Sequence, residues 1–268
     1  MADTLPVNTA DAGFEIRTSF VRGRNAVVAK ADFGDLYVDY YLHLAAHGIK
    51  PSTADDAIFT RALAAFSLHC ASRPWNETTA WTINMQAPLV NLFLVGDNDA
   101  GTIAGRIFDE NVKQMPSNVF YADVVRSAEP KRRSAVEFAG SDPLIAAETF
   151  YTQSEQRLAR YFQTGEEEFT MVTEHPDCDL EWLKGLTTEA VRELEAKETV
   201  SLLERRVYRW HCGCTLDRMM DILAPAMRHD AVELFGENEK IEIRCPRCGG
   251  RYAITREGME AHLARGAG

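Results

Sequence analysis

The sequence lacks any run of about 18 consecutive apolar residues, the minimum for a membrane-spanning helix, so no span is expected. Residues Met1–Phe14 lack a basic start and an apolar stretch and are rich in Ala, Asp and Thr. They do not read as a signal peptide, and residues 1–15 are expected to be disordered. An excess of positive charge is also missing. Lys and Arg number 29 against 40 Asp and Glu, a net charge of −11 that opposes a non-specific grip on nucleic acid. The chain has no internal repeat at a fixed period and no low-complexity tract. It carries no phosphate-binding glycine loop, no Ser/His/Asp constellation and no spaced carboxylate pair in an obvious cleft motif, so no enzyme activity is expected. The Gly96-Asp97-Asn98-Asp99 stretch lacks the later Glu of a calcium loop and reads as a tight turn. The chain is expected to be cytoplasmic.

At 268 residues, 46% apolar and 26% charged, the chain suits one core domain with a small appended one. Six cysteines in a reducing compartment argue against a permanent disulfide framework, and the clustering of four argues for metal. Cys212 and Cys214 lie in Trp210-His211-Cys212-Gly213-Cys214, and Cys245 and Cys248 in Arg244-Cys245-Pro246-Arg247-Cys248-Gly249. A C-x-C and a C-x-x-C pair separated by thirty residues can set four sulfurs at the corners of one tetrahedron, the geometry of a closed zinc site. Cysteines one residue apart can also oxidise to a small, strained ring, so such a site can be a staple or a sensor. The expected metal ligands are Cys212, Cys214, Cys245 and Cys248. His211 is read as a residue beside the site, because four sulfurs already fill the tetrahedron. Cys70 is read as a buried core thiol, and Cys178 as unreactive because Asp177 and Asp179 flank it.

The expected fold class is α+β: an N-terminal mixed sheet with helices packed on it, a helical linker and a small C-terminal zinc-binding domain. The core spans residues 16–176. Two β-like pieces within Ile16–Lys30 precede a helix carrying Leu36, Tyr37, Tyr40, Tyr41 and Leu44, which Gly48 stops. Pro51-Ser52-Thr53 opens a second helix that ends before Pro74. Period-two alternation from Thr78 predicts strands through Phe108, and Val119–Val125 with Ser134–Phe138 a second hairpin around the solvated basic turn Glu129–Arg133. A helix near Leu144–Gln156 and strands at Leu158–Phe162 and Phe169–Thr173 complete the core. Residues 177–208 are expected to be a helical linker, with Thr187 or Thr188 as cap and Glu193–Lys197 as an i,i+4 pair. Residues 209–268 form the zinc domain, with a helix from Thr215 or Asp217, strands at Ile241–Arg244 and Arg251–Ile254, and a closing helix at Thr255–Leu263. So small a module has too little core to fold dependably alone, so metal is expected to supply most of its stability.

The two cysteine pairs with their long spacer, the Tyr252–Leu263 tail, Val21-Arg22-Gly23 and Tyr151-Thr152-Gln153-Ser154-Glu155-Gln156 resemble the redox-regulated 33-kDa heat-shock protein family of holdase chaperones. The resemblance implies a redox-regulated, ATP-independent chaperone whose residue 16–176 core binds unfolding client proteins under oxidative stress. It implies that zinc is held by four cysteines when reduced, that Cys212–Cys214 and Cys245–Cys248 disulfides form on oxidation with release of zinc, and that the active form associates as a homodimer. The alternative is a constitutive zinc-ribbon module that binds protein or nucleic acid without a switch. A zinc hydrolase is disfavoured, because an all-cysteine site leaves no open position for water.

Overall fold

The computed structural model describes residues 13–126 and 129–265. They divide into two compact units, residues 13–40 with 51–211, and residues 41–50 with 212–265. Of the N-terminal stretch expected to be disordered, residues 1–12 lie outside the described part, and Phe14 already opens a strand.

The first unit is built on a ten-stranded sheet. Its strands are β1 (Phe14–Val21), β2 (Ala26–Asp32), β3 (Glu77–Gln86), β4 (Leu89–Asp97), β5 (Thr102–Phe108), β6 (Asn118–Arg126), β7 (Arg132–Phe138), β8 (Ala159–Gln163), β9 (Glu168–Glu174) and β10 (Val200–Trp210). The order across the sheet is β7-β6-β3-β4-β5-β10-β1-β2-β9-β8. Alternation sets the faces. In β3, Thr79, Trp81, Ile83 and Met85 are buried while Thr78, Thr82 and Asn84 are half-exposed, the pattern of a strand with one face on the core. Helix α1 (Gly34–Ala46) follows β2, and α2 (Thr53–Ala71) packs on the sheet. Ser52 caps α2 by accepting the Asp55 N–H at 3.1 Å, one of the donors a helix start leaves unpaired. Phe59, Leu63, Phe66, Leu68 and Cys70 of α2 are buried. Trp81 meets Phe66 at 5.1 Å and Phe120 at 4.8 Å between ring centroids, with Phe120 stacked on Phe150 at 4.9 Å. Phe150 ends α3 (Pro143–Phe150), which continues into a π-helical turn, Tyr151–Glu155.

Two turns differ from their expected places. Gly96 and Asp97 belong to β4, and the turn comes two residues later, at 98–101, where the Asp97 carboxylate accepts the N–H groups of Asp99 and Ala100, each at 3.1 Å. Gly96 serves close approach: a Cβ there would lie 2.7 Å from the Cys70 sulfur. In the basic turn, Arg132 and Arg133 already belong to β7, and Lys131 and Arg133 both pair with Asp123, at 3.2 and 2.7 Å.

The largest correction is in the linker. Only its first part is helical, as the short pieces α4 (Leu180–Gly185), α5 (Thr188–Arg192) and α6 (Leu194–Lys197). Thr187 caps α5 and the Glu193–Lys197 pair forms. From Val200 the chain is strand β10, paired antiparallel with β1 from Phe14↔Tyr208 to Val21↔Val200, and parallel with β5 through Arg209↔Thr102 and Trp210↔Ile103. The Leu, Glu and Arg of this stretch favour helix locally, but the edge of β1 supplies backbone partners from Val200 to Tyr208 and that of β5 at Arg209 and Trp210, and tertiary context overrides propensity. Arg206 and Tyr208 turn inward and Val207 outward, the alternation a helix could not use. Helices α4–α6 cover one end of the sheet, where Leu183, Leu186, Val191 and Leu194 pack with Val21, Val28, Phe162 and Val172.

The second unit holds α7 (Leu216–His229), α8 (Ala231–Phe235), β11 (Lys240–Arg244), β12 (Arg251–Thr255) and α9 (Arg256–Arg265). Its core is Met219, Met220, Ala224, Met227, Phe235, Ile254 and Met259. Methionine supplies four of these seven side chains, an adaptable filling rather than a rigid one. Residues 41–50, expected in the core domain, belong to this unit. Their hydrogen bonds to the β11–β12 turn are the reason, as set out below. Among the described residues no helix is long and apolar enough to cross a membrane.

Candidate metal centre

The β11–β12 hairpin brings one pair of cysteines to its tip. The ladder closes at Arg244↔Arg251, and Cys245 through Gly250 make the turn. The Cys245 N–H donates to the Gly250 carbonyl at 2.8 Å and the Gly249 N–H to the Cys245 carbonyl at 2.9 Å. Gly249 has φ +75°, a conformation that favours glycine. The second pair precedes α7. Gly213, at φ +68°, bends the C-x-C arm, and Thr215 caps the helix by accepting the Arg218 N–H at 3.2 Å. The Arg218 guanidinium donates back to the Gly213 carbonyl and fixes the arm from the helix side.

All four sulfurs lie within 4.8 Å of one another. Cys212 and Cys245 stand 3.6 Å apart and Cys214 and Cys248 3.3 Å apart, so sulfurs of the two arms meet. A tetrahedron with metal–sulfur bonds of about 2.3 Å has edges of about 3.8 Å, close to these separations. Cys245 and Cys248 are buried, Cys212 and Cys214 half-buried. Hydrogen bonds from Cys212 and Cys248 hold the Cys245 sulfur well below the usual thiol range, helped by the backbone N–H groups of Cys248 and Arg247. Cys212 is pushed up to about 12 by its bond to Cys245, and Cys248 is pushed up by its contacts with Cys212 and Cys245. Four ionised sulfurs this close would repel one another, and a soft divalent cation among them offsets that repulsion. The cysteines are positioned to bind a metal ion.

Among the described residues the cluster consists of these four cysteines, and His211 is not one of its members. Cys70 is buried, and loss of solvent raises its thiol pKa. The Cys178 thiol is raised first by burial and only then by the Glu174 and Asp179 carboxylates, so desolvation outweighs the flanking charge expected from the sequence. Sequence reasoning missed His43 and His47. His43 Nε2 lies 3.0 Å from the Cys248 carbonyl, and the Arg251 N–H donates to His47 Nδ1 at 3.0 Å. Burial holds His43 below the usual imidazole range. The available signal was two histidines one helical turn apart at the end of α1. Tyr252 was named only as part of a tail motif. Its hydroxyl donates to the Cys214 carbonyl at 3.0 Å and lies 3.1 Å from the Cys214 sulfur.

The fold and the site together define an α+β protein with a large mixed sheet and a C-terminal four-cysteine centre. Residues 158–255, which include all four cysteines, match the family model described as Hsp33 protein. A 33 kDa chaperonin from Proteus mirabilis is 32% identical over 71 residues, 26% of this chain and 24% of the relative. One from Edwardsiella ictaluri is 27% identical over 186 residues, 59% of this chain and 64% of the relative. The chain thus spans less than two thirds of the length of these curated relatives. The crystal structure of the 33 kDa chaperonin from Thermotoga maritima superposes with a TM-score of 0.73 at 13% identity, covering 95% of this chain and 99% of that one, a likeness of fold. Over residues 158–255 the chain is similar to the Hsp33 family, and it shares the fold of that family's solved member from Thermotoga maritima.

Proposed function

We propose that the protein is a redox-regulated, ATP-independent holdase that binds unfolding client proteins under oxidative stress in the cytoplasm. The observation that carries this reading is four thiols within 4.8 Å of one another in a unit whose own core is seven side chains, mostly methionine. In this reading Cys212, Cys214, Cys245 and Cys248 hold zinc in the reduced protein. Bound zinc supplies a charge that keeps four thiolates together and cross-links the two arms. A two-electron oxidant such as peroxide takes two electrons from each cysteine pair. One sulfur–sulfur bond forms within each pair, Cys212–Cys214 and Cys245–Cys248, and the peroxide is reduced to water. The ligands are then spent, and the second unit loses the cross-link that holds it folded.

Client binding needs apolar surface. The reading places it where α4–α6 lie on the sheet, because lifting them would uncover Val21, Val28, Phe162 and Val172. The oxidised form is proposed to associate as a homodimer. The test is to measure zinc content and free thiols before and after peroxide, alongside suppression of aggregation of a heat-denatured client. The expected result is metal and free thiols in the reduced form and protection only from the oxidised one. Equal protection by both forms would refute the switch and leave a constitutive zinc-ribbon binding module.

A further inference from the structure

We propose that His43 and His47 form a two-point clasp on the Cys248–Arg251 turn that sets how long the cysteine centre retains its metal. The proposal rests on the metal-binding reading of the four cysteines. The two histidines are one turn apart at the end of α1, with ring centroids 4.7 Å apart. They hold the backbone of the turn at two different residues. The Cys248 carbonyl can only accept, so His43 Nε2, 3.0 Å away, carries the proton and donates. His47 Nδ1 lies 3.0 Å from the Arg251 N–H and 3.2 Å from the Arg251 carbonyl, so it holds the Arg251 backbone in either tautomer, accepting from the first or donating to the second. One imidazole therefore grips the ligand end of the turn and the other the strand end.

Between these anchors lie Gly249 and Gly250, the least restrained backbone in the knuckle. A Cβ on Gly250 would sit 3.2 Å from His47 Nε2 and 3.4 Å from the Cys248 sulfur, so the missing side chain is what lets the ring lie against the turn beside the ligand. The clasp also reaches the other arm. The His47 ring packs on Tyr252 with centroids 5.4 Å apart, and the Tyr252 hydroxyl holds the Cys214 carbonyl. With both anchors in place the glycine turn cannot swing Cys248 away from the other three sulfurs. Without them it can, and a chelator captures the metal sooner.

The reduced, zinc-loaded full chain is mixed with excess chromogenic chelator, and the rate of zinc transfer is followed. His43→Leu and His47→Leu should each release zinc about fivefold faster, the effect of one lost hydrogen bond. The decisive variants are crossed. A Gln amide places an N–H near the position of His Nε2, and an Asn oxygen sits near the position of His Nδ1. His43→Gln and His47→Asn should therefore release zinc at the unsubstituted rate, whereas His43→Asn and His47→Gln should behave as the leucine variants do. Cobalt-loaded samples should keep the same sulfur-to-metal charge-transfer band throughout, as expected of positioning residues that are not ligands. Unchanged rates in the leucine variants, or equal behaviour of Asn and Gln at each position, would overturn the clasp. A changed cobalt band would overturn it by making a histidine a ligand. An unsubstituted protein that takes up neither zinc nor cobalt would refute the metal reading first, and the clasp with it.

Discussion

Stripping the metal from the reduced protein should unfold the second unit and leave the first standing. The perturbation is a strong chelator in the presence of a thiol reductant, so that no disulfide replaces the lost cross-link. Structural zinc contributes about 10–16 kcal/mol in small zinc modules, whereas a core of this size supplies only a few kcal/mol. Removing the larger contribution leaves the unit below the threshold for folding. The size of the signal follows from the element lengths. Helices α7, α8 and α9 have 14, 5 and 10 residues, about one third of the α-helical residues in the described chain. Circular dichroism at 222 nm should therefore fall by about a third on chelation and recover when zinc is restored. The first unit should still melt cooperatively, because Trp81, Phe66, Phe120 and Phe150 pack without any part of the cysteine centre. A spectrum unchanged after confirmed metal removal would refute the reasoning, since the methionine core would then suffice alone.

Three further perturbations probe the first unit. Leu183→Ala removes a fully buried side chain from the contact between α4 and the sheet and should cost about 2–5 kcal/mol locally; hydrogen exchange in residues 180–197 should accelerate and binding of a hydrophobic dye should rise, and unchanged exchange would show that α4–α6 are held by other means. Burial alone would raise the pKa of the Glu77 carboxyl, but Arg73 at 2.8 Å and Arg126 at 2.9 Å hold it below its ordinary value. Its contribution to stability is therefore complete above the unfolded carboxylate value and is lost as pH falls through the lower folded value. Glu77→Gln should flatten that acid limb of the denaturation profile and cost about 1–3 kcal/mol at neutral pH, because Arg73 keeps Glu155 and Arg126 keeps Glu129. Gly96→Ala drives a methyl to 2.7 Å from the Cys70 sulfur and should lower the melting temperature by the equivalent of about 1–3 kcal/mol; the double variant with Cys70→Ala should recover part of the loss.

Much of this was readable from the residues, for reasons that differ from place to place. Strand β3 declared itself because one of its faces meets the core and the other does not, so Trp81, Ile83 and Met85 recur at period two. The cysteine cluster was readable because metal ligation is written in short spacings. Strand β10 was hidden because its composition is that of a helix, and only the edges of β1 and β5, separated from it by many residues, make it a strand. The histidines were hidden for the same reason at longer range: His43 reaches a carbonyl 205 positions further along the chain, and no local pattern encodes such a pairing.

Strand β10 shares eight register pairs with β1 but only two with β5. The ten strands are thus a group of five and a group of four stitched by one thread, and the weakest stitch is at the thread's far end. There Arg209 and Trp210 lie beside Thr102 and Ile103, the His211 N–H reaches the Ile103 carbonyl at 3.0 Å, and the next residue in the chain is Cys212. Any tug on that first sulfur falls on the shortest ladder in the sheet, so the seam beside β5 is where strain arriving along the backbone would open the molecule.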